Sequence, residues 1–157
     1  GSMSKSFGLS GLRVGWITAP KRVLDQLLHI RYYTTVTAPV IEQKIATVAH
    51  RHREKVIERN QEIVDENYSY LKNWMAERNG IFDWVKPKGG PVTFPKFTDD
   101  VRTDDFCLKL VEDHSVLVPP GKYCFDAEGF IRIGYGESRQ FEKAMLRVGD
   151  ALEDFFR

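Results

Sequence analysis

The chain has 157 residues, 42% of them hydrophobic, with 23 lysines and arginines against 22 acidic residues and a net charge of +1. That is enough apolar material for a compact domain with a real core. The balanced charge gives no reason to expect a nucleic acid or an anionic membrane as partner. No apolar run reaches the length of a membrane span, and no signal-peptide pattern opens the sequence. The two cysteines, Cys107 and Cys124, fit a reducing compartment better than a disulfide framework, so the expected location is the cytoplasm.

In chain order, the first stretch, Ser2 to Trp16, holds Lys5, several hydroxyls, Gly8, Gly11 and Gly15, and Arg13 ahead of an apolar run. Small residues let a backbone approach a ligand closely. A deprotonated lysine amine adds to an aldehyde, and an arginine fork pairs with a phosphate. An equally simple reading makes Lys5 a solvated residue of a polar loop, and the glycine spacing is no nucleotide fingerprint. Leu12 to Ala19 is expected to be a strand, stopped by Pro20. Lys21 to Tyr33 is expected to be a helix, with Val23, Leu24, Leu27, Leu28 and Ile30 on its apolar face. Thr34 to Thr37 interrupts it. Thr37 is expected to cap a second helix, with Pro39 in its first turn, running to about His50.

Arg51 to Asn79 is expected to be the longest helix, closed by Gly80, its charges forming a solvated face. Short strands follow at Phe82 to Val85, Val92 to Phe97, Val116 to Val118 and Gly129 to Gly136, with Lys86 to Pro91 a turn. Thr103 is expected to cap a helix whose first turn holds Asp104 and Asp105, and Ser138 to cap the last helix. The outcome is an α+β arrangement, a small mostly antiparallel sheet covered by helices. The four histidines, His29, His50, His52 and His114, have no metal-ligand spacing, so no metal site is expected.

A second candidate constellation lies near the C-terminal end. Arg132 alternates with Ile131 and Ile133, so on a strand it faces away from them and can meet a carboxylate in a bidentate pair. A solvated edge-strand arginine or a packing salt bridge would give the same pattern.

The order of residues in the run Ser2-Met3-Ser4-Lys5-Ser6-Phe7-Gly8-Leu9-Ser10-Gly11-Leu12-Arg13-Val14-Gly15-Trp16 closely resembles the cofactor-lysine segment of the fold-type I, class I/II aminotransferases, whose cofactor is pyridoxal 5'-phosphate (PLP). The resemblance implies that Lys5 is the catalytic residue whose amine joins the cofactor aldehyde. It implies that Arg13 holds the cofactor phosphate, with Ser2 a second phosphate ligand. The segment from Val118 through Pro120, Gly121 and Phe125 to the strand of Arg132 resembles the family's carboxylate-binding region, so Arg132 would bind the α-carboxylate of the substrate. Gly89 and Gly90 resemble the glycine pair before the strand at the substrate entrance, and Gln43 matches a less specific position.

By this resemblance, residues 1–36 are the remnant of a PLP-binding large domain, and 37–157 are the C-terminal small domain with a long connecting helix. The intact enzyme would be a homodimer transferring an amino group between an amino acid and a 2-oxo acid. The family's acidic partner for the cofactor ring nitrogen, and the ring that stacks on the cofactor, lie upstream of the lysine, so the isolated chain is expected to be inactive. Another fold-type I reaction, a lyase or synthase, would share Lys5 and Arg132. A non-catalytic interaction module exposing Leu12, Val14, Trp16 and Ile17 is a third reading. Two departures touch substrate identity: Asp126 stands where many members have glycine, and the strand after Gly90 has Pro91 and Pro95. Gly1-Ser2-Met3 also has the form of an expression-vector remnant, on which reading Ser2 is a cloning residue.

Overall fold

The computed structural model of the chain describes residues 1–136 and 139–156, and the expected cap Ser138 lies outside them. The chain forms two compact units, Gly1–Gln61 and Glu62–Arg157. In order, the helices are α1 (Lys21–Thr34), α2 (Val40–Arg51), α3 (Arg53–Glu77), α4 (Thr103–His114), α5 (Gly121–Phe125) and α6 (Phe141–Phe155). The strands are β1 (Phe82–Asp83), β2 (Val92–Thr93), β3 (Lys96–Phe97) and β4 (Ile133–Gly134). Helix α3 runs through the division between the units, and no helix among the described residues is long and apolar enough to cross a membrane.

The first unit corrects two expectations. Leu12 to Ala19 is not a strand: Ser10–Leu12 is a 3-10 turn, Arg13 adopts a left-handed backbone at φ 53°, and only an isolated bridge joins Ser2 to Gly15. A strand requires a ladder partner, and pairing here is limited to Met3 N–H to Val14 C=O (3.0 Å) and the reciprocal bonds of Gly1 and Trp16 (both 2.8 Å). Thr37 does not cap α2. Pro39 takes the N-cap position, and the Gln43 side-chain amide donates to the Ala38 carbonyl at 2.8 Å. Helix α1 forms as expected, from its apolar spacing and an exposed Lys21–Asp25 ion pair at 2.7 Å, yet buries no residue. The core of this unit is small: Met3, Phe7 and Ala46, flanked by Leu9, Leu12, Val14, Ala49 and Val56.

The second unit holds the larger core. Residues Leu71, Trp74 and Met75 of α3 recur at helical spacing and pack on Phe106, Cys107 and Leu110 of α4 and on Met145, Val148 and Leu152 of α6. The strands form two antiparallel pairs, β1 with β3 and β2 with β4. The expected strand Val92 to Phe97 divides because Pro95 offers no backbone N–H, and its two halves pair with different partners. Val116 to Val118 is not a strand. Ser115 ends α4 in the left-handed region, and the Val116 amide turns back to the Leu110 carbonyl (3.1 Å). Thr103 lies inside the first turn of α4, with Arg102 at the cap position. Arg78 lies over the Trp74 ring at 4.2 Å, and a Cβ on Gly149 would stand 2.6 Å from its guanidinium. A side chain at position 149 would push the Arg78 guanidinium aside, so glycine lets α6 cover that pair as it stands.

Two outcomes follow from this packing. Leu110→Ala, at a fully buried site, is expected to destabilise the second unit by about 2–5 kcal/mol. Leu108→Ala, on the same helix but 57% exposed, should cost less than about 0.5 kcal/mol; urea unfolding followed by circular dichroism compares them. Burial, with a smaller contribution from Asp104, pushes the Cys107 thiol from 9.0 up to about 12. As pH rises from about 9 to about 12 the unfolded chain releases this proton while the folded chain keeps it, so stability falls over that window. Cys107→Ala should remove this part of the alkaline slope in urea midpoints measured across those pH values.

Candidate functional site

In the first unit, Met3 and Phe7 are buried on either side of Lys5 and anchor the loop by their side chains. The Lys5 carbonyl accepts the Gly8 amide at 2.9 Å, and the Met3 carbonyl accepts the Leu9 amide at 2.9 Å. Gly8 has φ +65°, and a Cβ there would meet the Asn60 side-chain amide at 3.1 Å, so glycine is favoured on both counts. From α3, Asn60 donates to the Ser6 carbonyl at 3.1 Å and ties the loop to the helix. The turn is thus fixed at its base while the Lys5 side chain stands exposed.

Ser2 and Arg13 belong to the same loop system. Ser2 pairs with Gly15 across the isolated bridge, and its hydroxyl accepts the Ser4 amide at 3.4 Å. Arg13 donates one guanidinium N–H to the Ser10 carbonyl at 3.1 Å. Among the described residues, neither Lys5 nor Arg13 is within salt-bridge distance of a carboxylate. A cleft of about 780 Å³ opens beside Arg13, walled by Trp16, Ile17, Leu24, Leu27 and Leu28. An amine, a guanidinium and a hydroxyl on one short segment make a donor set suited to a ligand carrying both an aldehyde and a phosphate.

In the second unit, Ile131 and Ile133 are buried and Arg132 between them is exposed, as the alternation requires. The Arg132 amide donates to the Pro119 carbonyl at 2.9 Å, and its guanidinium lies 3.9 Å from the Cys124 sulfur. The packing salt bridge that would explain Arg132 structurally is absent among the described residues. Gly121 accepts no side chain: a Cβ would stand 2.5 Å from the Ala127 carbonyl oxygen and 2.6 Å from the Phe130 Cβ. Asp126 ends α5 at φ 52°, a left-handed conformation that aspartate tolerates better than most residues. Lys122 reaches Glu128 at 3.4 Å and Asp104 at 3.8 Å, and these carboxylates, Glu128 first, raise its pKa.

The structure therefore brings Ser2, Lys5 and Arg13 into one loop and places Arg132 on the second unit. Asn60, Asn67 and Tyr135 also serve these segments, although the sequence patterns did not single them out. Asparagine is a poor interior helix residue, and Asn60 and Asn67, two of the three asparagines inside α3, were the available signal. Among the described residues no group of three or more histidines, cysteines or carboxylates could hold a metal. His50 is exposed but packs its ring on Phe7 and Trp16, with centroids 5.9 and 6.3 Å away.

Comparison with known proteins bears on what this arrangement serves. Residues 1–148 match the family model described as aminotransferase class I and II. The chain is 33% identical over 153 residues to capreomycidine synthase of Streptomyces vinaceus, aligning 97% of its own length with 39% of that protein. A PLP-dependent aminotransferase structure from Streptococcus suis matches with a TM-score of 0.90 at 32% identity, over 98% of this chain and 41% of that one. The structure of the PLP-dependent cyclase OrfR matches with a TM-score of 0.84 at 34% identity, over 98% and 41% of the two chains. The chain spans about two fifths of the length of these relatives.

Proposed function

The chain belongs to the class I and II aminotransferases, and from that premise we propose that it carries the cofactor lysine and the substrate-carboxylate arginine of a PLP-dependent enzyme. The observation that carries this reading is the anchored loop that presents Lys5 on the same short segment as Arg13 and Ser2, with neither cation engaged by a carboxylate among the described residues. Residues 1–36 are assigned to the end of a cofactor-binding domain and 37–157 to the C-terminal small domain.

Bound PLP would supply an electron sink that eases loss of a proton from the amino acid's Cα. Lys5 would be its covalent anchor, and the Lys5 Nζ, once displaced by the substrate amine, would take up that proton and return it. Arg13 would hold the phosphate with its planar fork, assisted by the Ser2 hydroxyl, and Arg132 would orient the substrate through its α-carboxylate. The substrates are an amino acid and a 2-oxo acid, and the enzyme is a cytoplasmic homodimer. Because the chain spans about two fifths of its relatives, the reaction is assigned to a protein of their full length and the isolated chain is inactive. A second reading, a synthase or cyclase reaction, is favoured by the 33% and 34% identities to capreomycidine synthase and OrfR, which match the 32% to an aminotransferase. Amino-group exchange with a 2-oxo acid, assayed at full length, separates the two.

Trapping tests the site itself. After mixing with PLP and reducing with borohydride, mass spectrometry should find one dominant adduct, on Lys5. Arg13→Ala should weaken its formation by about tenfold or more, the scale of a lost charge-assisted contact. Adducts spread evenly over the surface lysines would refute the assignment.

A further inference from the structure

Tyr135 lies three residues beyond Arg132 and is 2% exposed. Its amide donates to the Pro91 carbonyl at 2.7 Å, and its hydroxyl donates to the Gly90 carbonyl. Its own carbonyl accepts the side-chain amide of buried Asn67, on α3, at 3.0 Å. One residue thus grips two successive carbonyls of the Gly89-Gly90-Pro91 turn while α3 holds that residue in place. The contact continues on both sides. Ile133 and Gly134 pair with Thr93 and Val92, and a Cβ on Gly136 would stand 2.8 Å from the Pro91 Cβ. Beyond the turn, the Trp84 indole donates to the Thr93 hydroxyl at 2.6 Å.

We infer that Tyr135 is a positioning residue for Arg132: it latches the Gly89–Pro91 turn to the strand that follows Arg132, so that guanidinium and turn meet a carboxylate-bearing substrate as one preformed wall. The inference rests on the reading of Arg132 as the carboxylate ligand. A turn of two glycines and a proline has high intrinsic freedom at its glycines, and Gly90 sits at φ +81°. Fixing it through main-chain carbonyls takes up no side chain of the turn. Burial raises the Tyr135 pKa, with Tyr68 adding to the shift, so the phenol remains a protonated donor through the neutral range. Tyr135→Phe keeps the ring and removes the bond to Gly90.

Hydrogen exchange and indole NMR on the whole chain test the latch. In Tyr135→Phe, amides across residues 88–93 should exchange about tenfold faster, the scale of one lost hydrogen bond. The Trp84 indole resonance should shift, while Trp74 and the amides of α4 and α6 should not respond. Gly136→Ala, which crowds Pro91 while keeping the hydroxyl, should produce the same local pattern. Unchanged exchange in the turn, or a rise spread equally over α4 and α6, would overturn the latch. Titration with pyruvate, read at the Arg132 side-chain N–H, separates this result from the underlying reading. A response in the parent that weakens in Tyr135→Phe supports both. No response in the parent defeats the carboxylate role of Arg132, whatever the exchange result says of the turn.

Discussion

Burial of Ile131 and Ile133 on either side of Arg132 is the constraint that sets how the second unit presents this arginine. Two β-branched aliphatic side chains enter a core shared by α3, α4 and α6, and a period of two leaves the intervening arginine no direction but outward. The same few residues hold the surrounding segments by main-chain bonds. Arg132 takes the Pro119 carbonyl, Ile131 takes that of Pro95, and Tyr135 takes that of Pro91. Three proline-containing segments, none able to build a ladder from its own prolines, are thereby tied to the single stretch from Ile131 to Tyr135. The exposed cation is fixed by a hydrophobic decision made one residue to each side.

The first unit works from a thinner foundation. Three buried hydrophobic residues anchor the loop of Lys5, and α1 leaves its apolar side chains largely in solvent, Tyr33 at 92% exposure. Trp16 and Ile17 are likewise exposed, at 45% and 65%, whereas Leu12 and Val14 turn partly inward onto the small core. The rigidity at Lys5 therefore comes less from burial than from backbone bonds around the turn and from the Asn60 tether. Anchoring Met3 and Phe7 thus fixes where the exposed lysine starts without restricting its amine, as the role proposed for it would require.

Helices were legible because a 3.6-residue apolar period needs only local sequence to be seen, and α1, α2, α4 and α6 stand close to their expected places. Strands were less so, since a strand exists only when another segment pairs with it. Leu12 to Ala19 has the composition of a strand but finds two residues' worth of pairing, and Val116 to Val118 runs on beyond the end of α4, only the Val116 amide turning back to it. Caps failed for a related reason: Thr37 and Thr103 have the right side chains, but Pro39 and Arg102 occupy the cap positions. The exposure of Lys5 and Arg132 followed from the pattern. The support given by Asn67 and Tyr135 did not, because a hydrogen bond spanning 68 residues leaves no periodic trace.

That difference locates where specificity can be written into this family. On the proposed reading, Lys5, Arg13 and Arg132 would supply an amine, a phosphate clamp and a carboxylate clamp, needs common to any reaction of an amino acid on the same cofactor, so they would not discriminate a transaminase from a synthase. Discrimination requires a contact to the rest of the substrate. The segment from Gly89 to Lys96 pairs alongside Ile131 to Tyr135 and is constrained at several points: Pro91 and Pro95 fix two φ angles, β2 pairs with β4, and Tyr135 grips the turn. Phe94, between them, stacks on Phe130 at 5.0 Å and meets Phe125 edge-on at 5.3 Å. An aromatic cluster held on a stiff segment can select among side chains by shape while the clamps treat every amino acid alike. On that reading the chemistry common to the family and the choice of substrate would be carried by different residues, the first set readable from a motif and the second only from how the chain folds around it.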